Sequence, residues 1–191
     1  MNVSRARVAS TAAALASVAS LLLLAPPAVS ADSGTEISDY GNGCVIDPGN
    51  RAATVDSLRF RCSVSQQDQI YRDAQAGAVA TGPTNGWVTR PPQLEAAAPA
   101  LWVGKVFRTG PDGGTLTNRV TGAGIEAFPA DVYRAPSILD GAPTWALNYA
   151  PSPTPQVYDE IREITPGVWF GYSWWREGSW PLLASFVLTP A

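Results

Sequence analysis

Histidine is absent from the chain, lysine occurs once, at Lys105, and cysteine twice, at Cys44 and Cys62. Without an imidazole, Ser-His-Asp and Cys-His nucleophilic machinery is excluded. Zinc centres built on imidazoles or on four thiolates go with it, and the sequence implies neither a metal nor a cofactor. Methionine occurs only as Met1. Charge is sparse as well: 15% of residues are Asp, Glu, Lys or Arg, and the formal net charge is −3. A net-negative chain with one lysine lacks the basic footprint of a nucleic-acid binder. Anionic bilayer surfaces are unfavourable partners for the same reason.

What is present begins with an export signal. Arg5 and Arg7 form a short positive region, Val8 to Ala25 carry no charge, and Leu21 to Leu24 are the most apolar stretch. Pro26 and Pro27 stop any helix, and Val29-Ser30-Ala31 offers small residues before Asp32. This layout is that of a cleavable secretory signal over residues 1–31. The uncharged stretch approaches membrane-spanning length, but its Ala and Ser content and the cleavage pattern favour removal. That leaves a secreted chain with no integral membrane segment. Residues 32–43, rich in Gly, Ser and Asp, read as a mobile lead-in. Residues 44–191 are long enough for one domain with its own core. Cys44 and Cys62 are an even pair in an exported chain, hence a disulfide. Closing that loop contributes about 3 kcal/mol by the chain-entropy estimate. Cys-x-x-Cys spacing, the mark of a redox pair, is missing.

The domain divides into a helical front and a strand-rich back. Ser65 with Asp68 suggests a helix start, Gln66 to Ala76 the helix, and Gly77 its end. Gly82-Pro83-Thr84-Asn85-Gly86 is loop or turn chemistry leading to a short extended Trp87-Val88-Thr89. Gln93 to Trp102 predicts a second helix limited or bent by Pro99. From Lys105 onward, short strands are expected at Val106–Phe107, Leu116–Thr121, Ile125–Tyr133, Thr144–Tyr149, Tyr158–Ile164, Val168–Trp175 and Leu182–Leu188. Gly110-Pro111-Asp112-Gly113-Gly114, Asp140-Gly141, Pro166-Gly167 and Glu177-Gly178 punctuate them. Such spacing predicts a mainly β fold, an antiparallel meander of six or seven strands closing into a small barrel that hides its edges.

In Val168 to Trp175 the side chains alternate between two faces. Val168, Phe170, Tyr172 and Trp174 are bulky throughout, which suits packing against a helix or a neighbouring strand. Trp169, Gly171, Ser173 and Trp175 set two small residues between two indoles. In a closed core that hollow is filled either by a partner side chain or by a ligand. Trp102, Trp145 and Tyr149 are candidates for the same apolar wall.

Trp102-Val103-Gly104-Lys105-Val106-Phe107 forms a W-x-G-K-x-F pattern. It is followed by Ser137 to Pro143, by Asn148-Tyr149, and by the run Asp159-Glu160-Ile161-Arg162-Glu163-Ile164-Thr165-Pro166-Gly167-Val168-Trp169-Phe170-Gly171. This order resembles uncharacterised bacterial proteins with a small lipocalin-like barrel, and more distantly the domain-of-unknown-function families named for a G-x-W-x-G pattern. The resemblance spans roughly residues 58–188 and is most specific over Asp159 to Gly171. It implies a barrel and, by analogy, a small apolar ligand. No catalytic residue carries over from it.

Asp159, Glu160, Arg162 and Glu163 are the densest charge cluster, with Asp159 and Glu163 on one strand face. Two carboxylates so placed either support acid–base work or simply face solvent. Arg162 fits pairing with a carboxylate or capping a barrel end. Asn118, flanked by inward Leu116 and Val120, must be hydrogen-bonded if buried, as a structural bridge or as a ligand contact. Lys105 either neutralises an acidic headgroup at a barrel mouth or is a solvated residue at a strand start. Serine nucleophiles lack histidine and G-x-S-x-G context.

The resulting expectation is a secreted protein enclosing a small hydrophobic molecule, its contacts drawn from Trp102, Lys105, Asn118, Trp145, Trp169, Gly171, Tyr172, Ser173 and Trp174. A histidine-independent barrel enzyme (a cyclase, isomerase or hydrolase using Asp or Glu) is the first alternative. A cell-envelope interaction protein with an exposed tryptophan patch is the second.

Overall fold

The computed structural model describes residues 36–191, so the export signal read over residues 1–31 lies outside the described residues. The segment expected as a mobile lead-in (32–43) carries, in its described part, the first strand of a two-stranded hairpin whose second strand opens the domain. Its strands are β1 (Ser38–Asp39) and β2 (Val45–Ile46). Gln66 Nε2 fastens this hairpin by donating to the Tyr40 and Gly41 carbonyls, at 2.8 Å each.

Two helices follow. The first, α1 (Arg51–Phe60), has Asn50 as its N-cap, whose side chain accepts from Ala53 N at 3.0 Å. No helix was expected there. The second, α2 (Val64–Asp73), starts and ends earlier than the expected 66–76 because Ser63, not Ser65, is the cap. Ser63 Oγ accepts from Gln66 N, and Gln66 Oε1 accepts from Ser63 N at 2.8 Å, a reciprocal capping box. A disulfide joins Cys44 to Cys62 across 18 residues and ties the hairpin to the turn between the helices.

The remaining strands are β3 (Gly82–Arg90), β4 (Trp102–Gly110), β5 (Gly113–Val120), β6 (Ile125–Pro136), β7 (Pro143–Asn148), β8 (Val157–Thr165), β9 (Val168–Trp175) and β10 (Leu182–Pro190). Each pairs antiparallel with the next, and β10 returns to β3 with Phe186 opposite Val88 and Leu188 opposite Gly86. The result is a closed eight-stranded barrel, as the meander pattern predicts, with α3 (Pro92–Leu101) bridging β3 and β4. The strand that sequence reading undercounts is β3. Its Gly-Pro-Thr-Asn-Gly start reads as a turn, yet it pairs with β4 at Gly82 and Pro83 and then with β10 from Thr84 to Arg90. At Gly86 a side chain would collide with the Trp102 ring, so glycine here admits an indole rather than making a turn.

The two faces of β9 separate as alternation requires. Val168, Phe170, Tyr172 and Trp174 pack outside the barrel with Leu58, Ile70, Tyr71 and Val55 of the helices. Trp169 points inward and joins Phe107, Leu116, Val132, Trp145, Leu147, Ile161, Phe186 and Leu188 in the interior. The chain from Ala74 to Thr81 crosses the end of the barrel where β3 begins. Buried Ala76 and Ala80 close that end. Trp145 and Trp169 donate their indole N–H to the carbonyls of Gly77 (3.2 Å) and Ala78 (2.8 Å). Glu163 Oε2 accepts from Ala78 N at 2.8 Å.

The hollow at Gly171 is filled by neighbouring side chains. A Cβ there would lie against the Glu160 carbonyl oxygen, 2.6 Å from Ile161 Cγ2 and 3.1 Å from Phe186 Cζ. Overpacking of this kind typically costs 1–3 kcal/mol, and a backbone atom cannot give way cheaply. Gly171→Ala is therefore expected to lower unfolding free energy by about 2 kcal/mol or more in urea titration; a variant as stable as the parent would contradict this packing.

Candidate functional site

Lys105 stands in the middle of β4 with only 2% of its surface exposed. Its phase follows from a bulge. The β4–β5 register slips between Trp102 and Gly104, so Trp102 and Lys105 both point inward although three positions separate them. Asn118 lies opposite Lys105 on β5, and Asp159 of β8 and Tyr149, just beyond β7, approach from across the barrel. Lys105 Nζ donates to Asn118 Oδ1 (3.0 Å), to Tyr149 Oη (2.6 Å) and to Asp159 Oδ2 (2.8 Å). An ammonium has three N–H groups, so all are engaged. The rings of Trp102, Tyr149 and Phe186 surround it with centroids 5.1–5.3 Å away, within cation–π range.

The partners are themselves tied together. Asn118 Nδ2 donates to the Phe128 carbonyl (3.1 Å) and to Tyr149 Oη (3.0 Å), while Trp102 Nε1 donates to Asn118 Oδ1 (3.0 Å). Tyr149 Oη donates to Asp159 Oδ2 at 3.1 Å. Burial, reinforced by the Asp159 charge, pushes the Tyr149 phenol well above its ordinary value, so it remains a donor at neutral pH. Phe128 sits at φ 50°, in the left-handed region, where the β5–β6 register slips. That bulge presents its carbonyl to Asn118 and its ring to the cavity.

Above this cluster the barrel is not filled. A cavity of about 260 Å³ opens toward the end opposite the Ala74–Thr81 crossing. Val88, Trp102, Phe128, Val157, Ala184 and Phe186 make its walls largely apolar. Lys105, Asn118, Tyr149, Asp159, Thr154 and Ser173 supply the polar groups. Leu101, Ile125 and Leu182, all exposed, begin or precede strands at this same end.

Four of the expected contact residues, Trp102, Lys105, Asn118 and Ser173, line this cavity. Gly171 is interior but lies beneath Phe186 and Ile161. Trp145 and Trp169 belong to the packed, closed end. Tyr172 and Trp174 are on the other side of the sheet altogether, because they share the phase of Phe170. Tyr172 Oη donates to Asp68 Oδ1 at 2.8 Å under α2, and Trp174 Nε1 donates to Glu160 Oε1 at 3.1 Å. The solvated-lysine reading of Lys105 is likewise overturned.

The carboxylates are also dispersed. Asp159 reaches the cavity, Glu163 is bound at the closed end, and Glu160 faces outward, accepting from Ser137 Oγ (3.1 Å) and Ile138 N (2.8 Å). Arg162, also outward, forms a two-pronged pair with Asp140 at 2.6 and 2.7 Å. Asp159 and Glu163 therefore do not form a catalytic pair. Sequence reading did not place Val88, Val157, Ala184 or Phe186 at the site. The signal for Lys105 was available: it lies two positions from Phe107, whose phase is inward.

No protein-family model matches the chain, and no curated protein matches it. A solved structure, of a protein from Thermomonospora curvata, is similar with a TM-score of 0.51 and 16% sequence identity, over 76% of this chain and 99% of that one. At that identity the likeness concerns the fold, and it agrees with the barrel.

Removing one member of a buried pair leaves the other charge uncompensated, typically at 3–5 kcal/mol, whereas replacing both by apolar residues is often neutral. Lys105→Met is accordingly expected to lose about 3–5 kcal/mol in chemical denaturation, and Lys105→Met combined with Asp159→Leu to regain most of it. Additive losses would show that the two side chains do not interact.

Proposed function

We propose that the protein is an exported carrier or receptor for a small hydrophobic molecule held in the open end of the barrel. The observation that carries this is the contrast between the two ends. One is packed with indoles and aliphatic side chains, and the other keeps about 260 Å³ of apolar-walled space over a buried polar floor. Concave, mostly apolar sites with a few convergent polar groups are the usual form of small-molecule sites. At about 30 Å³ per water-sized group, the space suits on the order of nine non-hydrogen atoms. The Cys44–Cys62 disulfide supports export, since such bonds persist in oxidising compartments.

The alternatives have less behind them. An acid–base enzyme that works with paired carboxylates would want a second one beside the first, and among the described residues Asp159 alone of the carboxylates lines the cavity. An interaction protein would display tryptophan, and here three of the seven indoles are buried and the other four only half-buried.

Naphthalene, an apolar probe without polar groups, is expected to bind one-to-one and saturably, followed by tryptophan fluorescence because Trp102 lines the cavity. Ala184→Phe, which places a ring in that space, should weaken binding about tenfold or more, equivalent to about 1.4 kcal/mol. Absence of saturable binding, or binding indifferent to Ala184→Phe, would contradict the proposal.

A further inference from the structure

The hydrogen-bond inventory of the polar floor is unbalanced. Asp159 is 4% exposed, and its Oδ1 is buried with no hydrogen-bond partner among the described residues. The other oxygen, Oδ2, accepts from both Lys105 and Tyr149. The lysine, amide and indole donors around it are already committed. Lys105 uses its three N–H groups on Asn118, Tyr149 and Asp159, Asn118 uses its amide N–H groups on Phe128 and Tyr149, and the Trp102 indole points at Asn118. Buried carboxylate oxygens are normally satisfied, and Asp159 is one of the residues lining the cavity, so its orphan oxygen marks where a donor belongs.

The charge balance narrows the choice. Lys105 and Asp159 neutralise each other at 2.8 Å, and the Tyr149 phenol stays protonated. A ligand carboxylate would face Asp159 without a free lysine N–H to receive it, and a ligand ammonium would add an uncompensated charge between apolar walls. Ser173 lies opposite Asp159 in the β8–β9 register and on the same cavity wall, so its hydroxyl can return a hydrogen bond to an oxygen bound there.

Resting on the cavity-binding reading above, we infer that the bound molecule is an uncharged, mainly hydrocarbon alcohol or phenol whose hydroxyl donates to Asp159 Oδ1. This differs from an acidic-headgroup ligand in a way the residues specify: Lys105 serves as an internal counter-ion that holds Asp159 in place, not as the ligand's own partner.

Isothermal titration of the wild-type protein with four eight-carbon probes separates the possibilities. These are 1-octanol, heptyl methyl ether, octanoate and octylammonium. A hydrogen bond to a charged acceptor is expected to make 1-octanol bind about tenfold or more tighter than the ether, with both ions weaker than the alcohol. Equal affinity for alcohol and ether would overturn the hydroxyl assignment while leaving cavity binding intact. Preference for octanoate or for octylammonium would overturn it in favour of a charged ligand. Failure of all four probes, together with failure of naphthalene, would remove the cavity reading itself. Asp159→Asn is expected to erase the alcohol–ether difference, and should that variant not fold, the wild-type series decides alone.

Discussion

An ammonium group inside a β-barrel must be neutralised where it stands, and much of this molecule is arranged around that requirement. Lys105 is held by a carboxylate, a phenol and an amide within 3.0 Å and is surrounded by three aromatic rings. The Coulombic attraction of such a pair offsets a desolvation cost of several kcal/mol per ion only when the remaining donors and acceptors are satisfied. Asn118 and Trp102 complete that shell on one side. On the Asp159 side it is incomplete, and there the packing gives way to open space. Below the cluster the interior is filled by Phe107, Leu116, Trp145, Leu147, Ile161 and Trp169; above it the walls stand apart.

A second set of polar contacts, on the outer face, keeps those walls in place. Arg162 grips Asp140 and donates to the Tyr71 and Pro143 carbonyls, joining β8 to α2 and to the loop between β6 and β7. Glu160 accepts from that same loop and from Trp174. Burial pushes its carboxyl above the usual range, so charging it has a cost that these hydrogen bonds only partly offset. Tyr172, Asp68 and Arg90 form a further link between β9, α2 and β3. Adjacent residues on β8 thus serve opposite sides of one sheet: Asp159 the cavity, Glu160 the scaffold.

The barrel was legible in the sequence because strand alternation and turn residues recur from Lys105 onward, and Gly110 to Gly114 and Pro166-Gly167 do connect strands. Strand β3 was legible only over Trp87 to Thr89, since the glycines and proline before them look like a turn until Trp102 is seen to need the space beside Gly86. The site was half legible. Asn118 and Ser173 were placed by period-two reasoning, which is local, and Trp102 and Lys105 share the inward side only through a bulge. Tyr172 and Trp174 were misassigned because period two separates faces without saying which one lines the interior. The Lys105–Asp159 pair, 54 residues apart in sequence, depends on barrel closure, which no local pattern encodes.

Because the chain contains one lysine, protein labelled with 15N-lysine gives a single side-chain resonance, and that signal reports directly on the interaction from which the rest follows. A buried, triply bonded Lys105 should show ammonium protons that exchange slowly with water, shifts displaced by the three surrounding rings, and cross-relaxation to Tyr149 and Trp102. A signal at the position of a solvated lysine, with protons lost to rapid exchange, would contradict a charged floor inside the barrel.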